Sequence, residues 1–120
     1  MFKRKKSSSK SIVKNITPED AHDMIKNNGG NLDLIVLDVR SIGEFNQSHL
    51  KNVILIDYNG SSFKEEVMKL DKNKKYILYC RSGVRSANAS NMMAQSGFTE
   101  VYNMLGGINL WSQKGLPLIR

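Results

Sequence analysis

The chain has 120 residues, 40% of them hydrophobic and 24% charged, which suits one soluble domain with a single core. Its formal net charge is +7, partly from Lys3, Arg4, Lys5, Lys6 and Lys10; with no nucleic-acid motif beside it, that run reads as a solvated face and no nucleic-acid partner is expected. No apolar run approaches the roughly 20 residues of a membrane helix, the single cysteine excludes an internal disulfide, and no cysteine pair or His-x-x-x-His spacing offers a metal site.

Residues 1–11 are polar and basic around Ser7, Ser8 and Ser9, so a disordered tail is expected there and a folded domain over 12–120. The tail lacks the apolar centre of a signal peptide. It could be a processing stub or a basic contact with anionic lipid. Ile12 to Ile16 is predicted as a short edge strand. Thr17-Pro18-Glu19-Asp20 is a strong helix start, with a capping hydroxyl, proline at the first helical position and acids in the first turn. Ala21, Met24 and Ile25 give that helix its apolar side, and Asn28-Gly29-Gly30 ends it.

Leu32 to Val39 is predicted as a strand. Its continuous core, Leu34-Ile35-Val36-Leu37, suits a position covered on both faces. Asp38 and Arg40 fall at its carboxyl end, where ligand sites gather in open parallel sheets. They are expected to support a site from behind, or simply to pair with each other or cap the turn that begins at Ser41. His49 is expected to be structural. Val53 to Asp57 is predicted as the next strand, with Asn59 to Ser62 as turn and cap. Phe63, Val67, Met68 and Leu70 recur at helical spacing, and Asp71 to Lys75 is a solvated turn.

The stretch with chemistry is Tyr76 to Ala89. A β-branched and aromatic run delivers the chain through Cys80-Arg81-Ser82-Gly83-Val84-Arg85 to Ser86, which is read as the cap of a helix ending at Gly97. A strand that feeds a helix N-terminus makes an anion site, because the first helical amides lack internal partners. Arg81 and Arg85 add positive charge, Gly83 permits the turn that aims amides inward, and Ser82 and Ser86 can donate further bonds. A thiol there is expected to ionise well below the free value of about 8.5. The plainer alternative is an inert cysteine buried at a strand end.

Ala87, Ala89, Met92, Met93 and Ala94 are small or adaptable enough to pack the following helix on a sheet, the methionines as core filler. Gly97 to Met104 supplies the last strand, Gly106-Gly107 turns the chain, and Trp111 anchors a final short helix. The alternation of strands and helices argues a three-layer α/β domain with a parallel sheet.

Three stretches in order resemble the rhodanese (sulfurtransferase) family. They are Leu37-Asp38-Val39-Arg40 with Glu44-Phe45 and His49-Leu50, then Cys80 to Ser86, then Leu105-Gly106-Gly107-Ile108 with Trp111 and Gly115-Leu116-Pro117. One departure is Ser48-His49-Leu50-Lys51-Asn52-Val53, where the family writes G-H-I-P-G-A; it alters a turn away from the chemistry.

The resemblance implies a mostly parallel five-stranded sheet with helices on both faces. It also implies a sulfurtransferase whose Cys80 carries a persulfide from a donor such as thiosulfate to cyanide or a thiol. Arg81, Ser82, Gly83, Val84, Arg85 and Ser86 would bind the anionic donor and the persulfide, with no metal or organic cofactor. A monomeric, cytoplasmic protein is expected, with a sulfur-accepting protein as a further partner. Two rivals stand beside it. One is a non-enzymatic persulfide carrier. The other is cysteine-based phosphatase or arsenate reductase chemistry, whose loops hold five residues between Cys and Arg where this chain has the four from Arg81 to Val84.

Overall fold

The structure, a computed structural model, describes residues 12–28 and 31–120. The expected tail over 1–11 and the glycines Gly29 and Gly30 lie outside the described residues. Five strands and five helices alternate: β1 (Lys14–Ile16), α1 (Pro18–Asn28), β2 (Leu34–Asp38), α2 (Ile42–Gln47), β3 (Ile54–Leu55), α3 (Phe63–Met68), β4 (Lys75–Tyr79), α4 (Val84–Gln95), β5 (Glu100–Met104) and α5 (Gly107–Gln113). The strands form one sheet in the order β1-β5-β4-β2-β3, and every neighbouring pair is parallel.

That order reverses direction between β2 and β4. The chain leaves β2 toward β3 and leaves β4 toward β5, so a crevice opens between the carboxyl ends of β2 and β4. Both central strands are apolar because each is covered twice. On one face Leu37, Tyr76, Leu78 and Val101 meet Phe63 and Val67 of α3 and Ala89 and Met93 of α4. On the other, Val36, Ile77, Tyr79 and Met104 meet Ala21 of α1 and Ile108 and Trp111 of α5. Alternate side chains of β4 thus anchor two separate cores, as the two-residue strand period requires.

Most departures from the sequence reading concern strand ends. The first strand begins at Lys14 rather than Ile12, the second spans Leu34–Asp38, and the third shrinks to Ile54–Leu55. Edge positions explain the short first and third strands: each pairs on one side only. Helix α2 is an element the apolar pattern did not announce, since none of its residues is buried. Its signal was polar: Ser41 and Glu44 form a reciprocal capping box. In the unusual turn, Asn52 adopts φ 58°, a left-handed position that asparagine tolerates better than most residues.

Buried polar groups cluster at the carboxyl ends of β2 and β4. The Arg40 guanidinium grips the Asp38 carboxylate, with Nη2 at 2.6 Å from Oδ2 and Nε at 2.9 Å from Oδ1. The Tyr79 hydroxyl donates to Asp38 Oδ2 at 2.6 Å and accepts from the Leu50 amide. A buried ion pair needs further bonds to its remaining valences, and here Arg40 Nη2 also donates to the Ser48 carbonyl at 2.7 Å and the Arg40 amide to Asp38 Oδ1 at 3.0 Å. Tyr79→Phe removes one bond to the charged carboxylate and orphans the Leu50 amide, so denaturant unfolding is expected to show a loss of about 1.5–3 kcal/mol. An unchanged midpoint would mean that the Arg40 pair alone suffices.

Candidate functional site

Strand β4 ends at Tyr79, and the next residue, Cys80, is 1% exposed at the floor of a tight loop. The loop closes on the sulfur. The Gly83 amide donates to Sγ at 3.1 Å and the Ser86 amide at 3.4 Å, with the Ser86 hydroxyl also 3.4 Å away. Gly83 sits at φ 107° as the N-cap of α4, a backbone state that other residues rarely adopt. The helix therefore starts at Val84, and Ser86 lies in its first turn instead of capping it. The Ser86 hydroxyl turns to the sulfur, to Gly83 O at 3.2 Å and to Asn103 Oδ1 at 2.6 Å.

Helix α5 sets the loop's polarity. The Ile108 amide donates to the Cys80 carbonyl at 2.9 Å, and the Asn109 amide to the Arg81 carbonyl at 3.1 Å. In a trans peptide the N–H points opposite to the C=O. Holding those two carbonyls against α5 turns the Arg81 and Ser82 amides the other way. The approach is close enough to require glycine at 107: a Cβ there would lie 2.4 Å from Cys80 O and 2.5 Å from Arg81 O, at φ 58°.

Burial pushes the Cys80 thiol up, but the Ser86 hydroxyl and the Ser86, Gly83 and Ser82 amides outweigh it and bring the thiol below its ordinary value. The thiolate is stabilised mainly by aimed dipoles.

The two loop arginines part company. The Arg85 guanidinium is bidentate to Glu44, with Nη1 and Nη2 each 2.9 Å from a carboxylate oxygen. Arg81 is exposed and lines a cavity of about 350 Å³ with Arg40, Glu44, Gln47, Ser48, Ile108 and Asn109. Val84 is 67% exposed on the loop's outer side, and Ser82 is exposed beside Arg81. Arg40 lines this cavity while paired with Asp38, whose carboxylate also accepts the Arg40 amide as a short turn. His49 stacks on Phe45 and its Nδ1 lies 3.0 Å from the Phe45 carbonyl; its backbone pairs with Ile119. Among the described residues no cluster of three or more His, Cys, Asp or Glu could hold a metal ion.

Glu44 and Asn103 were not singled out as site residues from the sequence. The sequence reading placed only a turn at Ser41, and nothing local placed Glu44 against Arg85, 41 residues away.

Residues 17–114 match the family model for the rhodanese-like domain. The chain is 28% identical over 100 residues to the thiosulfate sulfurtransferase GlpE of Coxiella burnetii, covering 83% of this chain and 88% of that one. It is 40% identical over 79 residues to a tRNA uridine(34) hydroxylase of Cytophaga hutchinsonii, covering 63% of this chain but spanning only a quarter (25%) of that protein. The crystal structure of a rhodanese-related protein from Thermoplasma volcanium superposes with a TM-score of 0.76 at 32% identity, covering 88% of this chain and 97% of that one.

Two expectations follow from this geometry. Gly107→Ala should push the Cys80 and Arg81 carbonyls off α5, costing on the order of 1–3 kcal/mol in strain and raising the pH at which Cys80 reacts with an alkylating agent; an unmoved alkylation profile would show that α5 does not aim the loop. The second concerns acid. Hydrogen bonding from Arg85, opposed by burial and aided by Ser41, holds the Glu44 carboxyl at about 2 against an ordinary 4.5. A depressed carboxyl stabilises the fold above its unfolded value and loses that contribution as pH falls through the folded one. Thermal unfolding of Glu44→Gln should therefore lie below wild type near neutrality, with the gap closing between pH 4.5 and about 2.

Proposed function

The chain belongs to the rhodanese-like domain family, whose relatives here include sulfurtransferases, and we propose that it transfers a sulfane sulfur from a small anionic donor to a thiophilic acceptor through Cys80. The observation that carries this reading is a buried thiol ringed by amides that favour its ionised form. The thiolate attacks the outer sulfur of a donor such as thiosulfate. The donor S–S bond breaks, sulfite leaves with the bonding pair, and Cys80 becomes a persulfide with its negative charge on the terminal sulfur. A cyanide carbon or a thiolate then attacks that terminal sulfur, and the Cys80 thiolate leaves. The chain is covalent catalyst in both halves.

The amides of the loop stabilise negative charge on sulfur at each stage, a preorganised contribution. Arg81 is the exposed cation at the cavity mouth, suited to an oxyanion of the donor. Arg85, held by Glu44, contributes its charge from the side and keeps the start of α4 fixed against α2. Four residues separate Cys80 from Arg85, a ring that suits one added sulfur better than a tetrahedral phosphate.

The test combines three measurements. Thiosulfate treatment of wild type should add about 32 Da, one sulfur atom on the thiol, and Cys80→Ser should show neither this adduct nor thiosulfate:cyanide turnover. Arg81→Ala should raise the KM for thiosulfate by an amount equivalent to about 1.5–3 kcal/mol. An aryl phosphate hydrolysed faster than sulfur is moved would replace this reading with the phosphatase one. A persulfide that forms but is passed only to protein thiols, and not to cyanide, would make the chain a carrier.

A further inference from the structure

The Ser86 hydroxyl has one proton and three acceptors around it. Asn103 Oδ1 lies at 2.6 Å, Gly83 O at 3.2 Å and Cys80 Sγ at 3.4 Å. Ser86 is wholly buried and Asn103 is 2% exposed, so no bulk water relieves the competition. The Asn103 amide is itself aimed, because its Nδ2 donates to Asn15 Oδ1 of β1 at 3.2 Å, leaving Oδ1 toward Ser86.

While Cys80 is a thiol, the array forms a continuous chain: S–H donates to Ser86 Oγ, and the Ser86 O–H donates to Asn103. Once the sulfur ionises it becomes an acceptor, and the same O–H must either stay with Asn103 or swing to the sulfur. We propose that Asn103 is a positioning residue that competes with the Cys80 sulfur for the Ser86 hydroxyl proton and thereby sets how readily the nucleophile ionises. This rests on Cys80 being the sulfur-carrying thiol, and deepens that reading: β5, on which Asn103 sits, tunes the sulfur through the Ser86 hydroxyl. The balance is unusual in sign. Asn103 supports the protonated chain and competes with the thiolate, so removing it frees the hydroxyl for the sulfur.

The charged groups around the sulfur leave room for such tuning. From α4 comes Arg85, which is tied to Glu44 of α2 and also influenced by Asp57 beyond β3. Arg81 of the loop is exposed, and the Asp38–Arg40 pair at the end of β2 is internally neutralised. Helix α5 carries no titratable residue, and β5 carries only Glu100 and Tyr102, which bond to each other.

The experiment reads the pH dependence of Cys80 alkylation by iodoacetamide and of thiolate absorbance near 240 nm, neither of which needs a sulfur donor. Failure here is therefore separable from failure of the sulfurtransferase reading, which the persulfide adduct tests. Asn103→Leu, similar in size and without an acceptor, should lower the ionisation midpoint by about one pH unit, roughly a tenfold gain in thiolate below it; Asn103→Ala, used if Leu does not fold, should do the same. Asn103→Asp keeps an acceptor and should show no such drop. Asn15→Ala frees the Asn103 amide to turn its oxygen off Ser86 and should shift the midpoint in the same direction, by no more than Asn103→Leu does. In a Ser86→Ala background, Asn103→Leu should have no effect on the midpoint. A midpoint that stays put or rises in Asn103→Leu, or a drop that persists without the Ser86 hydroxyl, would overturn the proposal.

Discussion

Two hydrogen bonds, Ile108 N–H to Cys80 O and Asn109 N–H to Arg81 O, are what the site depends on. They fix the outward direction of two carbonyls, and peptide planarity then fixes the inward direction of the amides that follow. They add the Ser82 amide to the Gly83 and Ser86 donors, which together offset the burial of a sulfur that is 1% exposed. The glycine at 107 is the consequence: any Cβ would occupy the space through which the two backbones meet.

Charge is handled separately from this dipole cage. The two full ion pairs near the crevice, Asp38–Arg40 and Glu44–Arg85, are each bidentate and largely self-contained. The first is fully buried and joins the ends of β2 and β4 through Tyr79; the second is partly exposed and joins α2 to α4. Both hold backbone in place. Arg81, the exposed loop cation, is left to face what enters the cavity.

The sheet explains why these parts meet. Strands β2 and β4 are neighbours although their sequences lie some 40 residues apart, as the pairing of Asp38 with Tyr79 shows. The reversal of strand order opens the crevice at their carboxyl ends, and β5 on the other side of β4 carries Asn103 and then delivers the chain into α5. Each element that shapes the sulfur's surroundings leaves the sheet at the same edge.

Legible in the residues alone were the alternation of elements, the burial of Val36 and Leu37 and of Tyr76 to Tyr79, and the Cys80 loop with its glycine and two arginines. These are local matters of side-chain period, backbone freedom and spacing, and the family resemblance of three ordered motifs needed no coordinates. The sequence did not determine that Arg85 is held by Glu44, that Ser86 belongs to the helix and shares its proton with Asn103, or that Gly107 must lie against the Cys80 and Arg81 carbonyls. Those depend on residues 17 to 41 positions apart, or on backbone closeness that a glycine pair only hints at. Packing settles them, because a side chain's hydrogen-bond partner is set by which elements the sheet places side by side, and a single hydroxyl proton goes to whichever acceptor packing brings nearest.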